Sequence, residues 1–355
     1  MTDNLTESIQ EQVKDAYYSS RALKIMGNST KEFLGHPVSG EPLEISGHTG
    51  IVNYEPTELV ITARSGTTLN QIEQALNENN QMLAFEPPHF GEDATLGGAI
   101  ACGLSGPGRA RFGAVRDFVL GTRIINGQGD LLHFGGEVMK NVAGYDLSRL
   151  QAGAMGTLGV LLEVSLKVLP KEDYTRTQVL DVSKQSAFEK MCQCTELPAS
   201  ATAYVDDRLY IRLSGSENTI NSISTKIGGE LLDNDAAFWL NVREHQHPFF
   251  RESNSLWRLS VPPATPPIDL PGQWLIEWNG AQRWLNTDAN AKHIRTIIEP
   301  LGGHATCYHS PLHSKEDEHE IFHPLPEPLM KLHHRLKYAM DPNGIFNPGK
   351  MYPGL

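Results

Sequence analysis

Leu5, Ile9 and Val13 recur at every fourth position, so the chain opens with a predicted amphipathic helix. Leu23-Lys-Ile-Met26 then reads as a short strand that feeds Gly27-Asn-Ser-Thr-Lys31. Leu59-Val-Ile-Thr-Ala63 predicts a buried strand. Thr68 and Gln71 form a capping box ahead of Leu69, Ile72 and Leu76, which starts a second helix. Further on, Leu162, Val164, Leu166 and Val168 alternate with Glu163, Ser165 and Lys167. That period predicts a half-buried strand, stopped by Pro170.

The pattern changes after Pro170. Lys171-Glu-Asp-Tyr-Thr-Arg176 is polar and reads as a linker. Beyond it, strands are expected at 203–213, 256–261, 273–279 and near 304–308. Helices are expected at 218–228, carried by Ile220, Ile223 and Ile227, and at 289–299, carried by Ile294, Ile297 and Ile298. Interleaved strands and helices point to a compact α+β domain, with the prolines of 262–267 as a stiff surface loop. A last helix is marked by Leu329, Leu332, Leu336 and Met340.

At 355 residues this suggests two domains. A formal net charge of −12 argues against a general nucleic-acid or anionic-membrane binder, though a small anion in a locally basic pocket stays open. Cys102, Cys192, Cys194 and Cys307 make no metal-site spacing and suit reduced thiols in a cytoplasmic protein. Residues 1–7 do not resemble a signal peptide, and no apolar run reaches membrane-spanning length. Attachment to a membrane through partner subunits is left open.

Glycines crowd residues 91–160. At that density the backbone can approach a ligand closely and present N–H groups to anions, most often phosphates. Gly106-Pro-Gly108-Arg-Ala-Arg111 lacks the third glycine of a dinucleotide fingerprint, and Gly27-Asn-Ser-Thr-Lys31 is not a nucleotide P-loop. The latter loop still offers backbone amides with Ser29, Thr30 and Lys31 as donors. Arg109 and Arg111 add guanidinium groups that grip carboxylates or phosphates.

These pieces, in this order, resemble the PCMH-type FAD-binding domain of the vanillyl-alcohol-oxidase superfamily. The stretches that carry the resemblance are Gly27–Lys31, Ala94-Thr-Leu-Gly-Gly-Ala99, Gly106–Gly113, Asp117–Gly121, Lys140-Asn-Val-Ala-Gly-Tyr-Asp146, Gly153–Gly159 and Asn347-Pro-Gly-Lys350. Within the superfamily, the short length and the Met139-Lys140-Asn141 run are similar to the FAD-binding subunits of bacterial glycolate oxidases. The fold implied is α+β: a PCMH-type domain of two α/β subdomains over residues 1–172, an α+β cap over 173–325, and a segment, 326–355, returning to the FAD domain.

The resemblance also implies site roles. Gly27, Asn28, Ser29, Thr30 and Lys31 would meet the pyrophosphate. Thr95, Leu96, Gly97, Gly98, Gly103, Ser105, Gly106, Arg109, Arg111 and Gly113 would run along pyrophosphate and flavin. Gly156, Thr157, Gly159 and Val160 would line the adenine and ribose side. Pro88, Lys140, Asn141, Tyr145, Asn347 and Lys350 are further cofactor-binding positions. Covalent members attach flavin through a histidine in the first phosphate loop; here Asn28, Ser29 and Thr30 stand there, with His36 beyond, so the FAD is expected to be non-covalent.

The activity implied is oxidation of glycolate, or another 2-hydroxy acid, to the 2-oxo acid by hydride transfer to flavin. The partners implied are a second FAD-containing subunit and an iron–sulfur subunit. A self-sufficient flavin oxidoreductase and a non-catalytic scaffold are the alternatives. Arg111, Tyr145 and Lys350 are catalytic candidates only in that the substrate needs a cation and a base. No metal site is expected. The His319 and His323 pair, at helical spacing, reads as solvated or packed histidines, and the five tryptophans, all within 239–284, read as cap core.

Overall fold

The computed structural model describes residues 4–136, 146–251, 255–309 and 321–355. Two compact units emerge. The first comprises residues 1–105, 114–170 and 325–355; the second comprises 106–113 and 171–324. The octapeptide Gly106–Gly113, expected with the flavin domain, is therefore part of the second unit.

The first unit opens with α1 (Thr6–Ser19), which buries Ile9, Val13 and Ala16 and ends where Ser20 turns left-handed. Next come parallel β1 (Leu23–Met26) and β2 (Glu41–Glu44), then β3 (Ile51–Glu55) and β4 (Val60–Arg64). Thr68 and Gln71 close the expected capping box on α2 (Leu69–Asn77). After β5 (Gln81–Met82), Thr95 caps α3 (Leu96–Cys102). The short α4 (Arg109–Phe112) lies in the second unit. Then α5 (Val115–Phe118), β6 (Val119–Ile125), β7 (Leu131–Gly135), β8 (Val160–Lys167) and β9 (Leu169–Pro170) complete this stretch.

A five-stranded antiparallel sheet runs β3-β4-β8-β6-β7. The alternation along β8 predicts one wet face, but β8 is central, and Leu161 and Ser165 are buried as well. Its polar positions find partners instead of water: Ser165 bonds Thr62 at 2.8 Å and Glu163 pairs with Arg123 at 3.2 Å.

The second unit carries an eight-stranded sheet. Its strands are β10 (Tyr174–Asp181), β11 (Ala199–Val205), β12 (Arg208–Gly215), β13 (Glu230–Leu231), β14 (Ser255–Ser260), β15 (Gln273–Glu277), β16 (Gln282–Thr287) and β17 (His304–His309). Their order is β13-β10-β12-β11-β15-β16-β14-β17. The helices α6 (Lys184–Gln193), α7 (Glu217–Ile227) and α9 (Ala291–Ile298) share one apolar core with Leu209, Ile211, Trp257, Leu259 and Leu285, while α8 (Asp235–Arg243) buries Trp239. All five tryptophans are buried.

Three expectations change here. The polar stretch after Pro170 is a linker only to residue 173, because Tyr174-Thr-Arg176 already pairs with β12. The strand stretch expected at 203–213 extends over 199–215 and is a hairpin, turned by Asp206 and Asp207, both at positive φ. The proline loop is pinned from below by the buried Arg283, which donates to Thr265 O, to Pro266 O (2.8 Å) and to Gly280 O (2.9 Å).

The last helix, α10 (Glu327–Met340), returns to the first unit. The leucines that predict it do not form its buried face: Leu329 and Leu332 are exposed, and Lys337 is buried. The Lys337 ammonium spends its three protons on Thr157 O, Asp341 Oδ2 and Phe346 O, each at 2.8 Å. Asp341 in turn accepts the amides of Ile345 and Phe346. Burial lowers the Lys337 pKa, and the Asp341 carboxylate opposes that shift. Replacing Lys337 by Met strands a buried carboxylate, so denaturant unfolding should show a loss of about 3–5 kcal/mol; an unchanged midpoint would remove this pair from the stability of the unit.

His48 is fully buried, and its Nδ1 accepts the Leu5 amide (3.0 Å) at the start of α1. Burial first, then Arg64 and Arg123, holds this imidazole down to about 4. The unfolded chain therefore takes up a proton below pH 6.5 that the folded chain refuses until about pH 4. Stability attributable to His48 is full above that window and is lost as pH falls through it, by at most ~1.4 kcal/mol per pH unit. In His48→Asn, denaturation curves at pH 6.5, 5.5 and 4.5 should show a shallower decline than in the parent; parallel declines would assign the effect elsewhere.

Candidate functional site

A cleft opens in the first unit, at the C-terminal end of β1. Its floor is the loop Gly27–Lys31, where Ser29 adopts a left-handed conformation (φ 56°). Asn28 Nδ2 ties the loop to Asp93 O (2.8 Å), and the buried Lys31 reaches His89 O (2.9 Å). One wall is α3. Gly97 donates to Ser65 O at 2.7 Å, and a side chain there would place its Cβ 2.7 Å from the Ser65 Cβ. Only glycine lets α3 lie this close to the end of β4.

The opposite wall joins the turn Met155-Gly156 to the chain's tail. Asn347 accepts the Ile25 amide through Oδ1 (2.8 Å), donates through Nδ2 to Met155 O (2.8 Å), and donates its own amide to Leu23 O (3.0 Å). Gly156 sits at φ 71°, and a Cβ there would meet Asn347 Nδ2 at 2.7 Å. One side chain thus clamps β1, the Gly156 turn and the C-terminal segment.

The cleft is cationic in an acidic chain. Lys24, Lys31 and Lys350 line it against the single carboxylate of Glu32, which pairs with Lys24. The hydrogen bond from Lys24 is the main cause that lowers the Glu32 pKa. Lys350 donates to Glu32 O (3.2 Å), and burial lowers its pKa. The Cys102 thiol also lines the cleft; burial pushes it up to about 11 although Lys31 and Lys350 pull the other way. It therefore stays a thiol at neutral pH and is no nucleophile.

Of the residues singled out in the sequence, Gly27, Asn28, Ser29, Thr30, Lys31, Thr95, Gly97, Gly98, Gly156, Gly159, Asn347 and Lys350 line this one cleft. Others sit behind it. Leu96 and Val160 are core, Pro88 is buried, and Thr157 bonds Ala154 O (2.7 Å). Gly103 ends α3, and Ser105 accepts the Val115 amide (3.0 Å). Gly106, Arg109, Arg111 and Gly113 belong to the second unit, where Gly106 O accepts the Trp278 indole N–H (2.9 Å), the Arg109 guanidinium lies 4.3 Å from the Trp278 ring, and Arg111 is exposed. Lys140, Asn141, Tyr145 and His319 lie outside the described residues.

Sequence reading missed Ile25, Met26, Ser65, Ala101, Cys102, Met155 and Leu161, which also line the cleft. Most sit one or two positions from a glycine already singled out; for Ser65 and Leu161 the signal was only that each lies at an end of a predicted strand. Among the described residues no group of three potential metal ligands comes together, and His323 instead accepts the Ala305 amide (3.4 Å). No described helix is long and apolar enough to cross a membrane.

Comparison with known proteins agrees with this geometry. A family model described as an FAD binding domain matches residues 5–135. The glycolate oxidase subunit GlcE of Escherichia coli is 49% identical over 352 residues, covering 99% of this chain and 98% of that protein. The glycolate oxidase subunit GlcD of Bacillus subtilis is 33% identical over 127 residues, 36% of this chain and 27% of that protein. Among solved structures, an alkyldihydroxyacetonephosphate synthase superposes with a TM-score of 0.65 at 13% identity, covering 96% of this chain and 75% of that one, a likeness of fold. A cleft built from glycine-permitted close approaches and lysines, carried on a chain that matches GlcE from end to end, makes this protein a member of the glycolate oxidase GlcE family of FAD-binding proteins.

Proposed function

We propose that this chain is the FAD-binding subunit of a glycolate-oxidising complex, working with a second flavin subunit of the GlcD type and with an iron–sulfur subunit. The observation that carries the reading is the cleft itself: close-approach glycines and three lysines in a chain of net charge −12. Its donor set fits a dinucleotide. Lys31 and Lys350 supply cations for a diphosphate, Ser29 and Thr30 supply hydroxyls, and Gly97 and Gly156 let the cleft walls close against Ser65 and Asn347. FAD held there would supply a two-electron oxidation, accepting the hydride of the glycolate α-carbon as glycolate becomes glyoxylate.

The chain's own residues do the holding. Asn347 fixes one wall and the Asn28–Asp93 bond fixes the phosphate loop, so the donors are in place before the ligand arrives. The spacing of the four cysteines is not that of an iron–sulfur ligand set, which favours single-electron transfer at a partner's cluster.

The test is a visible absorption spectrum of the purified chain with added FAD, followed by glycolate without oxygen, alone and with partner subunits. Bound flavin that bleaches with glycolate supports the reading. Bound flavin that never bleaches moves the oxidation to a partner, and no bound flavin overturns the reading. Gly97→Val should abolish FAD binding, because the new side chain drives α3 from Ser65. Lys350→Ala should weaken FAD by at least about tenfold in equilibrium titration, through loss of a charged contact; a parent-like affinity would take Lys350 out of the site.

A further inference from the structure

The eight-stranded sheet of the second unit has two unlike faces. One carries the apolar core under α6, α7 and α9. On the other, Arg258 of β14 stands directly opposite Trp284 of β16 and Thr306 of β17, and Gln282 stands opposite Glu277 and Ser260. These polar groups are ordered by a relay. Trp284 Nε1 donates to Glu277 Oε2 (2.8 Å), and Gln282 Nε2 donates to the same oxygen (3.0 Å). The Gln282 amide is thereby oriented, and its Oε1 accepts the Arg258 Nε–H at 2.7 Å.

The guanidinium is thus gripped by one edge. Among the described residues no hydrogen bond or ion pair takes up its two Nη groups. Its surroundings are aromatic. The Trp278 ring lies 5.4 Å from Arg258 and 4.3 Å from Arg109, and the Tyr308 ring packs 4.8 Å from that of Trp284. Trp278 and Asn279 hold left-handed backbone (φ 53° and 54°), an unfavourable conformation for a bulky residue. It is retained by the Trp278–Gly106 bond and by reciprocal bonds between Asn279 and Thr202. Burial lowers the Arg258 pKa against the pull of Tyr308 and of the Glu277 carboxylate, so an added anion beside this buried cation would be stabilised.

We propose that Arg258 is a carboxylate anchor: its outward Nη edge receives a small planar carboxylate in two parallel N–H···O bonds, and Gln282 is the positioning residue that aims it. The flat aromatic surroundings favour a planar carboxylate over a tetrahedral anion. The assignment rests on the glycolate reading only for which carboxylate arrives.

The test uses the full chain loaded with FAD. Intrinsic tryptophan fluorescence is titrated with oxalate, which cannot lose a hydride, and with neutral oxamide. Saturable quenching by oxalate and none by oxamide is expected. Arg258→Gln should raise the oxalate dissociation constant at least about tenfold, and Arg258→Lys, which keeps charge but not the fork, should fall between. The exposed control Arg335→Gln should bind as the parent. If Arg258→Gln loses its cooperative melt, Arg258→Lys decides. No oxalate binding by the parent, or parent-like binding by a folded Arg258 variant, overturns the anchor. Arg258-dependent oxalate binding without bleaching by glycolate leaves the anchor standing and moves the oxidation to a partner; bleaching with Arg258-independent oxalate binding supports the oxidation reading and overturns the anchor.

Discussion

The first unit depends on a buried contact between residues far apart in sequence. Lys337 and Asp341 hold each other below the surface, and every remaining valence of the pair goes to backbone of the tail or of the Thr157 turn. That fixes the path of Ile345, Phe346 and Asn347, so that Phe346 bridges alongside Leu23 and the Asn347 amide reaches both Ile25 and Met155. Ile345 and Phe346 then join the same buried cluster as Ile9, Val13, Leu43 and Leu162. Desolvating an ammonium is costly, but three acceptors and a carboxylate offset it, and the result is a single permitted geometry for the cleft wall.

The two units use polar groups differently. In the first, buried polar side chains mostly satisfy one another or the backbone, as with Ser165 and Thr62 on the central strand. In the second, one sheet face carries a chain of hydrogen bonds that ends on a guanidinium whose outer edge no described residue uses. Satisfied buried networks of this kind fix the geometry of their members, here the direction of the Arg258 guanidinium.

The glycine and lysine lining of the cleft was legible because close backbone approach and anion binding restrict residue choice locally, at Gly97, Gly156 and Lys31. The elements that failed to show did so because their signals are tertiary. Nothing in the alternation of β8 reveals that β4 and β6 flank it on both sides. The leucines of α10 announce a helix correctly but not its orientation, which the three acceptors of Lys337 decide. The hairpin at Asp206-Asp207 was hidden because two aspartates can enter left-handed backbone without the usual glycine. Arg258 was invisible as a site because its meaning depends on Gln282 and Glu277, which only strand pairing brings beside it.

The clamp on Asn347 also has a temporal side. Strand β1 leaves the ribosome long before its neighbour at Phe346. The wall that both form therefore cannot exist until Phe346 has emerged, even when the helices and sheets between them have already condensed. Ligand capture in this cleft consequently waits for the segment that carries Asn347 and Lys350, and a chain that stops before Asp341 would have its cleft unbuilt.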